Sequence, residues 1–96
     1  MSISSLSFEY DPRKAATNLR KHRVSFDEAA TVFADPLRST LRDDEHSLDE
    51  QRFITVGCST RGRTLFVVYT ESVSSVRLIG ARVATATERK QYEEVI

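Results

Sequence analysis

Two groups of side chains in this 96-residue chain have the chemistry to move a proton or hold an anion. Lys21 and His22 are adjacent, at the predicted end of a helix. Histidine is the side chain most readily tuned to exchange protons near neutrality, and lysine does so where neighbouring cations such as Arg20 and Arg23 disfavour its charged form. The other reading makes His22 a capping or half-buried histidine and Lys21 a solvated cation. Arg52, Arg77 and Arg82 form the second group. An arginine inside an apolar strand points out of the sheet or is paired, and its planar guanidinium suits bidentate binding of phosphate. Arg77 and Arg82 are five residues apart, so strict alternation puts them on opposite faces; a bulge at Gly80 would bring both to one pocket. Without it, one of them is structural, paired for example with Glu50 or Glu88. Tyr69 ends the most apolar stretch, where it stacks on a base, donates its hydroxyl, or belongs to the core.

Asp43, Asp44, Glu45, His46, Asp49 and Glu50 offer many oxygens, but their spacing lacks the ligand pattern of a calcium loop and includes one histidine only. The segment reads as a solvated acidic loop that can pair with the cations and tune them, and neither a metal nor a cofactor is expected. Cys58 precedes a turn with no histidine near it in sequence, so a structural or incidental thiol is expected and no internal disulfide is possible. Charge is segregated along a chain whose net charge is zero: residues 1–34 hold five basic and four acidic side chains, residues 35–50 two and six, and residues 51–96 seven and four. Basic flanks around an acidic middle can build a positive pocket without making the whole molecule basic. The start of the chain lacks a secretory pattern and no apolar run approaches the roughly 20 residues of a membrane span. A soluble intracellular protein with no membrane contact is expected.

The elements that must position these residues can be read from periodicity and caps. Thr64 to Thr70 is the longest uncharged β-branched and aromatic run, predicted as a strand covered on both faces. Leu6, Phe8 and Tyr10 alternate with polar residues as a short first strand, which Asp11-Pro12 stops; aspartate as N-cap and proline at the first helical position start a helix ending near Lys21 or His22. That helix carries five cations between Arg13 and Arg23 and no carboxylate. Ser25 to Glu28 reads as a capping box, with the serine hydroxyl on the Glu28 N–H and the glutamate on the Ser25 N–H. A second helix follows, burying Phe26, Ala29, Ala30 and Phe33, and ends at Asp35-Pro36. Leu37 to Leu41 reads as an edge strand. Phe53 to Val56, Thr64 to Thr70 and Val76 to Val83 form an antiparallel meander, with turns at 59–63 and 72–75. Thr85 to Glu88 is another capping box, opening a helix from Ala86 to Glu94 that meets the sheet through Tyr92 and Val95. Ninety-six residues make one domain, 1–96, of the α+β class.

Several of these pieces also occur together, in order, in one known family. They are Phe8-Glu9-Tyr10-Asp11 with Lys14, Asn18 and Lys21-His22; Val24-Ser25-Phe26 with Glu28-Ala29; Phe33 with Asp35-Pro36; His46-Ser47, Glu50 and Arg52; and Arg77 to Arg82, Ala84-Thr85, Glu88-Arg89 and Tyr92. The chain resembles BrnT-type toxins, small ribonucleases of bacterial toxin–antitoxin pairs. It departs from them at Tyr10 for the usual Trp, Arg23 for the usual Gly, and Gly80 for a common Ser. Arg23 therefore stands where a left-handed helix cap is expected.

The resemblance implies a RelE-like fold, an N-terminal strand and helix hairpin packed on a mainly antiparallel twisted sheet with a C-terminal helix. It implies a cytoplasmic endoribonuclease that cleaves RNA without metal by attack of the 2′-hydroxyl, with Lys21, His22, Arg52, Arg77, Arg82 and Tyr69 as catalytic candidates. It further implies a cognate BrnA-like antitoxin that neutralises the enzyme in a hetero-oligomer, with DNA contacted only through that complex. Such cleavage needs a group to take the 2′-hydroxyl proton, cations for the phosphate and an acid for the leaving 5′-oxygen. Exposed edges such as Leu6 to Tyr10 or Leu37 to Leu41 offer the antitoxin a place to add a strand or helix. The alternative is a non-catalytic module whose arginines only dock RNA or an acidic partner.

Overall fold

The computed structural model describes residues 7–46 and 50–94, without the side chain of His46. Its elements, in chain order, are β1 (Ser7–Glu9), α1 (Pro12–His22), α2 (Phe26–Thr31), β2 (Ser39–Asp43), β3 (Arg52–Cys58), β4 (Thr64–Glu71), β5 (Ser75–Val83) and α3 (Ala86–Glu94). The five strands form one sheet in the order β1-β5-β4-β3-β2, antiparallel except for β1, which runs parallel to β5 with Ser7 opposite Ser75. This is a mixed α+β fold. The expected contributions of Leu6 and Val95, and the acidic positions 47–49, lie outside the described residues.

The core forms on one side of the sheet. Leu65, Val67 and Tyr69 of β4 and Val76, Leu78 and Ala81 of β5 meet Val24, Phe26, Ala29, Val32 and Phe33. Leu65 and Val67 are wholly buried, each contributing about 1.5–3 kcal/mol. The other face differs from the two-sided burial predicted for β4: Phe66 and Val68 are only half-buried, because no helix is laid across them. That open face carries the residues considered below.

Other boundaries moved for physical reasons. The second helix closes at Thr31 and tightens into a 3₁₀ turn over Val32–Ala34 before Asp35-Pro36. The edge strand is displaced two residues, to Ser39–Asp43, because it pairs with β3 from Ser39 opposite Val56 to Asp43 opposite Arg52. A 3₁₀ turn at Asp44–His46 follows it. Half of the Ser25 capping box forms: Ser25 Oγ accepts the Glu28 N–H at 3.0 Å, but the Glu28 carboxylate accepts from Ser59 Oγ and from Arg63. Both halves of the Thr85–Glu88 box form, at 2.9 and 3.2 Å.

Candidate active site

Helix α1 is the element that brings cations to the open face. Asp11 caps it by accepting from Arg13 N at 2.8 Å, Pro12 occupies its first turn, and Arg23 ends it in the left-handed region at φ 59°, donating its N–H to Leu19 O. A non-glycine residue at that φ is uncommon and slightly strained. Its position relative to the sheet is set by Asn18, buried at 8% exposure. Beyond Arg77, β1 no longer covers the outer edge of β5, and the Asn18 amide takes its place. Nδ2 donates to Ala81 O at 2.8 Å and to Val24 O at 2.9 Å, and Oδ1 accepts the Ala81 N–H at 3.0 Å. A side-chain amide thus completes the hydrogen bonding of a strand edge and ties α1 to β5.

With α1 fixed there, Arg13, Lys14, Lys21 and His22, with Thr17 and Asn18, line a hollow of about 430 Å³ that Arg52 from β3 and Ile79 from β5 complete. Lys21 and His22 therefore share a hollow with Arg52, distant in sequence. Lys14, Asn18 and Lys21 lie at i, i+4 and i+7, one face of a helix, and that spacing is the signal by which Lys14 could have been added to the candidates. Arg52 and Ile79 also line a second hollow, of about 450 Å³, floored by Ile54, Phe66, Val68 and Gly80 with Asp43 and Glu45 at the rim. The two hollows therefore share Arg52 and Ile79 as a common wall.

The β5 bulge forms. Tyr69 pairs with Leu78 and Val68 with Gly80, so Ile79 is the extra residue and Arg77 and Arg82 project on the same face. They do not share a pocket. Arg77 pairs across to Thr70 and Arg82 to Phe66, four β4 positions or about 13 Å apart at ~3.3 Å per residue. Arg77 is ion-paired with Glu50 and lies in a separate hollow with Glu9 and Glu71. Arg82 lies over the Phe66 ring at 3.9 Å, and its Nη1 and Nη2 donate to the two Glu88 oxygens at 2.8 and 3.0 Å. Those hydrogen bonds hold the Glu88 carboxyl below its usual range and push the Arg82 guanidinium up.

Tyr69 is on the core face, 3% exposed, against Phe33 edge-on at 4.8 Å and Phe53 at 5.7 Å. Burial raises its phenol pKa. It is separated by the sheet from Lys21 and Arg52 and does not join them. Two further polar clusters are structural. Glu28, buried, is held low by its hydrogen bonds from Arg63 and Ser59 despite its desolvation. Burial raises Asp35, but bonds from Cys58 N–H, the Tyr92 hydroxyl and Leu37 N–H outweigh it and leave the carboxyl low; Tyr92, buried beside that carboxylate, is pushed up to about 12. This joins α3 to the end of β3. Among the described residues, no group of three or more His, Cys, Asp or Glu is placed to hold a metal ion.

Comparison with known proteins matches residues 10–88 to a family described as the ribonuclease toxin, BrnT, of a type II toxin–antitoxin system. The fold is similar to the crystal structure of the Brucella abortus ribonuclease toxin BrnT, with a TM-score of 0.65 and 17% identity, over 83% of this chain and 97% of that one. No individually curated protein sequence matches.

Proposed function

The chain belongs to the BrnT family of ribonuclease toxins of type II toxin–antitoxin systems, and from that premise we propose that the cationic hollow between α1 and β3 is where it cleaves RNA, without a metal ion. The observation that carries this reading is the meeting of Lys21, His22 and Arg52 at one concave spot. A wall of lysine, arginine and imidazole attracts phosphate and is a poor host for a divalent cation. One of Lys21 and His22 takes the proton of the ribose 2′-hydroxyl, whose oxygen attacks the adjacent phosphorus. Arg52, with Lys14 beside it, balances the charge that grows on the phosphate oxygens. The other member of the pair protonates the departing 5′-oxygen, leaving a 2′,3′-cyclic phosphate and a 5′-hydroxyl end. Arg82, lying over Phe66 and ion-paired with Glu88, stands beside the adjoining hollow and acts on the strand as it leaves the cationic one. Arg77 and Tyr69 take no part in this arrangement.

In this reading the sheet is a RelE-like scaffold, the protein works in the cytoplasm, and a cognate BrnA-like antitoxin neutralises it by covering the hollow in a hetero-oligomer that meets DNA through the antitoxin. Purified protein is expected to cut single-stranded RNA in the presence of EDTA. The double change Lys21→Ala, His22→Ala, and separately Arg52→Ala, lower the rate by at least about 10²-fold, the lower end of general acid–base effects. Arg77→Ala leaves it close to the unaltered rate. Cleavage that needs Mg²⁺ and ignores these changes would falsify the assignment, and salt-sensitive RNA binding with no products would make the protein a docking module.

A further inference from the structure

The cationic hollow accounts for a phosphate but leaves unexplained the hollow that shares Arg52 and Ile79 with it. Its floor is apolar, built from Ile54, Phe66, Val68 and Ile79, and Gly80 stands among them without a side chain. Glycine is not demanded there by the backbone: φ is not in the left-handed region, and an added Cβ would meet only Asn18 Oδ1 at an ordinary 3.7 Å. What its bareness leaves is room. At about 450 Å³ the hollow lies in the range that takes a small flat ligand, roughly 300–1,000 Å³. Phe66 carries the Arg82 guanidinium over its ring at 3.9 Å, held by two hydrogen bonds to Glu88. The rim of the hollow carries Asp43 and Glu45.

We infer that this hollow is a nucleobase subsite, holding one unstacked base of single-stranded RNA next to the scissile phosphate. The inference rests on the ribonuclease reading above. Three observations select that occupant. Arg52 and Ile79 belong to both hollows, so a nucleotide whose phosphate sits among Lys21, His22 and Arg52 places its neighbouring base over the apolar floor. Asp43 and Glu45 make this hollow less favourable to a phosphate than the cationic one, so the strand presents a base there rather than its backbone. Phe66, an aromatic residue of the floor, is a surface on which a base stacks. A base in a duplex is already stacked and paired, which keeps double-stranded RNA out.

The test scans a single-stranded oligoribonucleotide with an abasic residue at each position in turn. With the unaltered chain, kcat/KM falls about tenfold, within the range one stacked base supplies, when the abasic residue adjoins the cleaved bond, and stays near that of the intact oligonucleotide elsewhere. Gly80→Val fills the floor, so it lowers cleavage of the intact oligonucleotide by a similar factor and leaves the abasic one unchanged. Val68→Phe narrows the same space from β4 and serves if the valine disturbs the bulge; circular dichroism reports folding for both. A flat abasic scan with normal cleavage overturns the subsite alone. So do variants that keep the unaltered ratio between intact and abasic substrates. Absence of any cleavage by the unaltered chain overturns the ribonuclease reading and the subsite with it.

Discussion

Replacing Asn18 by alanine is expected to cost about 3 kcal/mol of folding stability. The amide makes three hydrogen bonds of 2.8–3.0 Å to backbone groups far apart in the chain, Val24 O, Ala81 O and Ala81 N. Alanine orphans all three, and a buried backbone group left without a partner costs about 1–3 kcal/mol. The lower figure applies to each because Asn18 borders the cationic hollow, from which water can enter. For a domain of this size, about 3 kcal/mol lowers Tm by about 12–24 °C. Equilibrium urea unfolding followed by far-UV circular dichroism measures it, with Thr17→Ala, half-buried on the same helix, as the reference near zero. Asn18→Asp sharpens the test. Its ionised carboxylate still accepts from Ala81 N but faces two carbonyl oxygens, so its folded pKa is raised above the unfolded value. A raised pKa contributes stability below the unfolded value and loses it as pH rises, so this variant is weakest at neutral pH and recovers in acid. An Asn18→Ala loss below about 1 kcal/mol, or an aspartate variant indifferent to pH, refutes the idea that this amide clamps α1 to the sheet.

The acid limb of stability is assigned to Glu28. Its carboxyl is held below the ordinary 4.5 by Arg63, so its contribution is present above that value and is lost as pH falls through the lower folded value. Glu28→Gln should flatten the stability profile there, as read by Tm between pH 6 and pH 2. Arg63→Met leaves the buried carboxylate with fewer partners and costs about 2 kcal/mol, less than the 3–5 of a fully enclosed pair because Arg63 is 32% exposed. Gly57→Ala puts a Cβ 2.9 Å from both Arg38 Cβ and Val32 Cγ1, with destabilisation of about 1–3 kcal/mol in the same unfolding assay.

Local chemistry was legible in the sequence wherever neighbours alone decide it. Asp11-Pro12, the Thr85–Glu88 box and the left-handed cap at Arg23 depend on a few adjacent residues and took their expected forms. Glycine at position 80 correctly marked the bulge, and Glu50 and Glu88 are the partners of Arg77 and Arg82. What could not be read is set by distant pairing. Side-chain faces follow alternation, but which face the helices cover is a tertiary fact, and it put Tyr69 in the core while leaving Phe66 exposed to a groove. Arg77 and Arg82 share a face yet stay apart, since a bulge corrects direction without shortening the strand. The Glu28 carboxylate abandoned its own capping box because Arg63, distant in sequence, offers a charge-assisted bond stronger than a backbone N–H does.

The parallel pairing of β1 with β5 bears on when this molecule comes into being during its synthesis. Ser7 finds its partner only at Ser75, and Asn18 its anchor only at Ala81. Closing contacts this distant in sequence delays folding. A nascent chain halted before residue 81 leaves the ribosome with α1 untethered, so activity should arise only after β5 has been made. Chains truncated at Ser72 and at Glu94, made in a cell-free system and assayed for RNA cleavage, would show whether the host is spared until β5 has emerged.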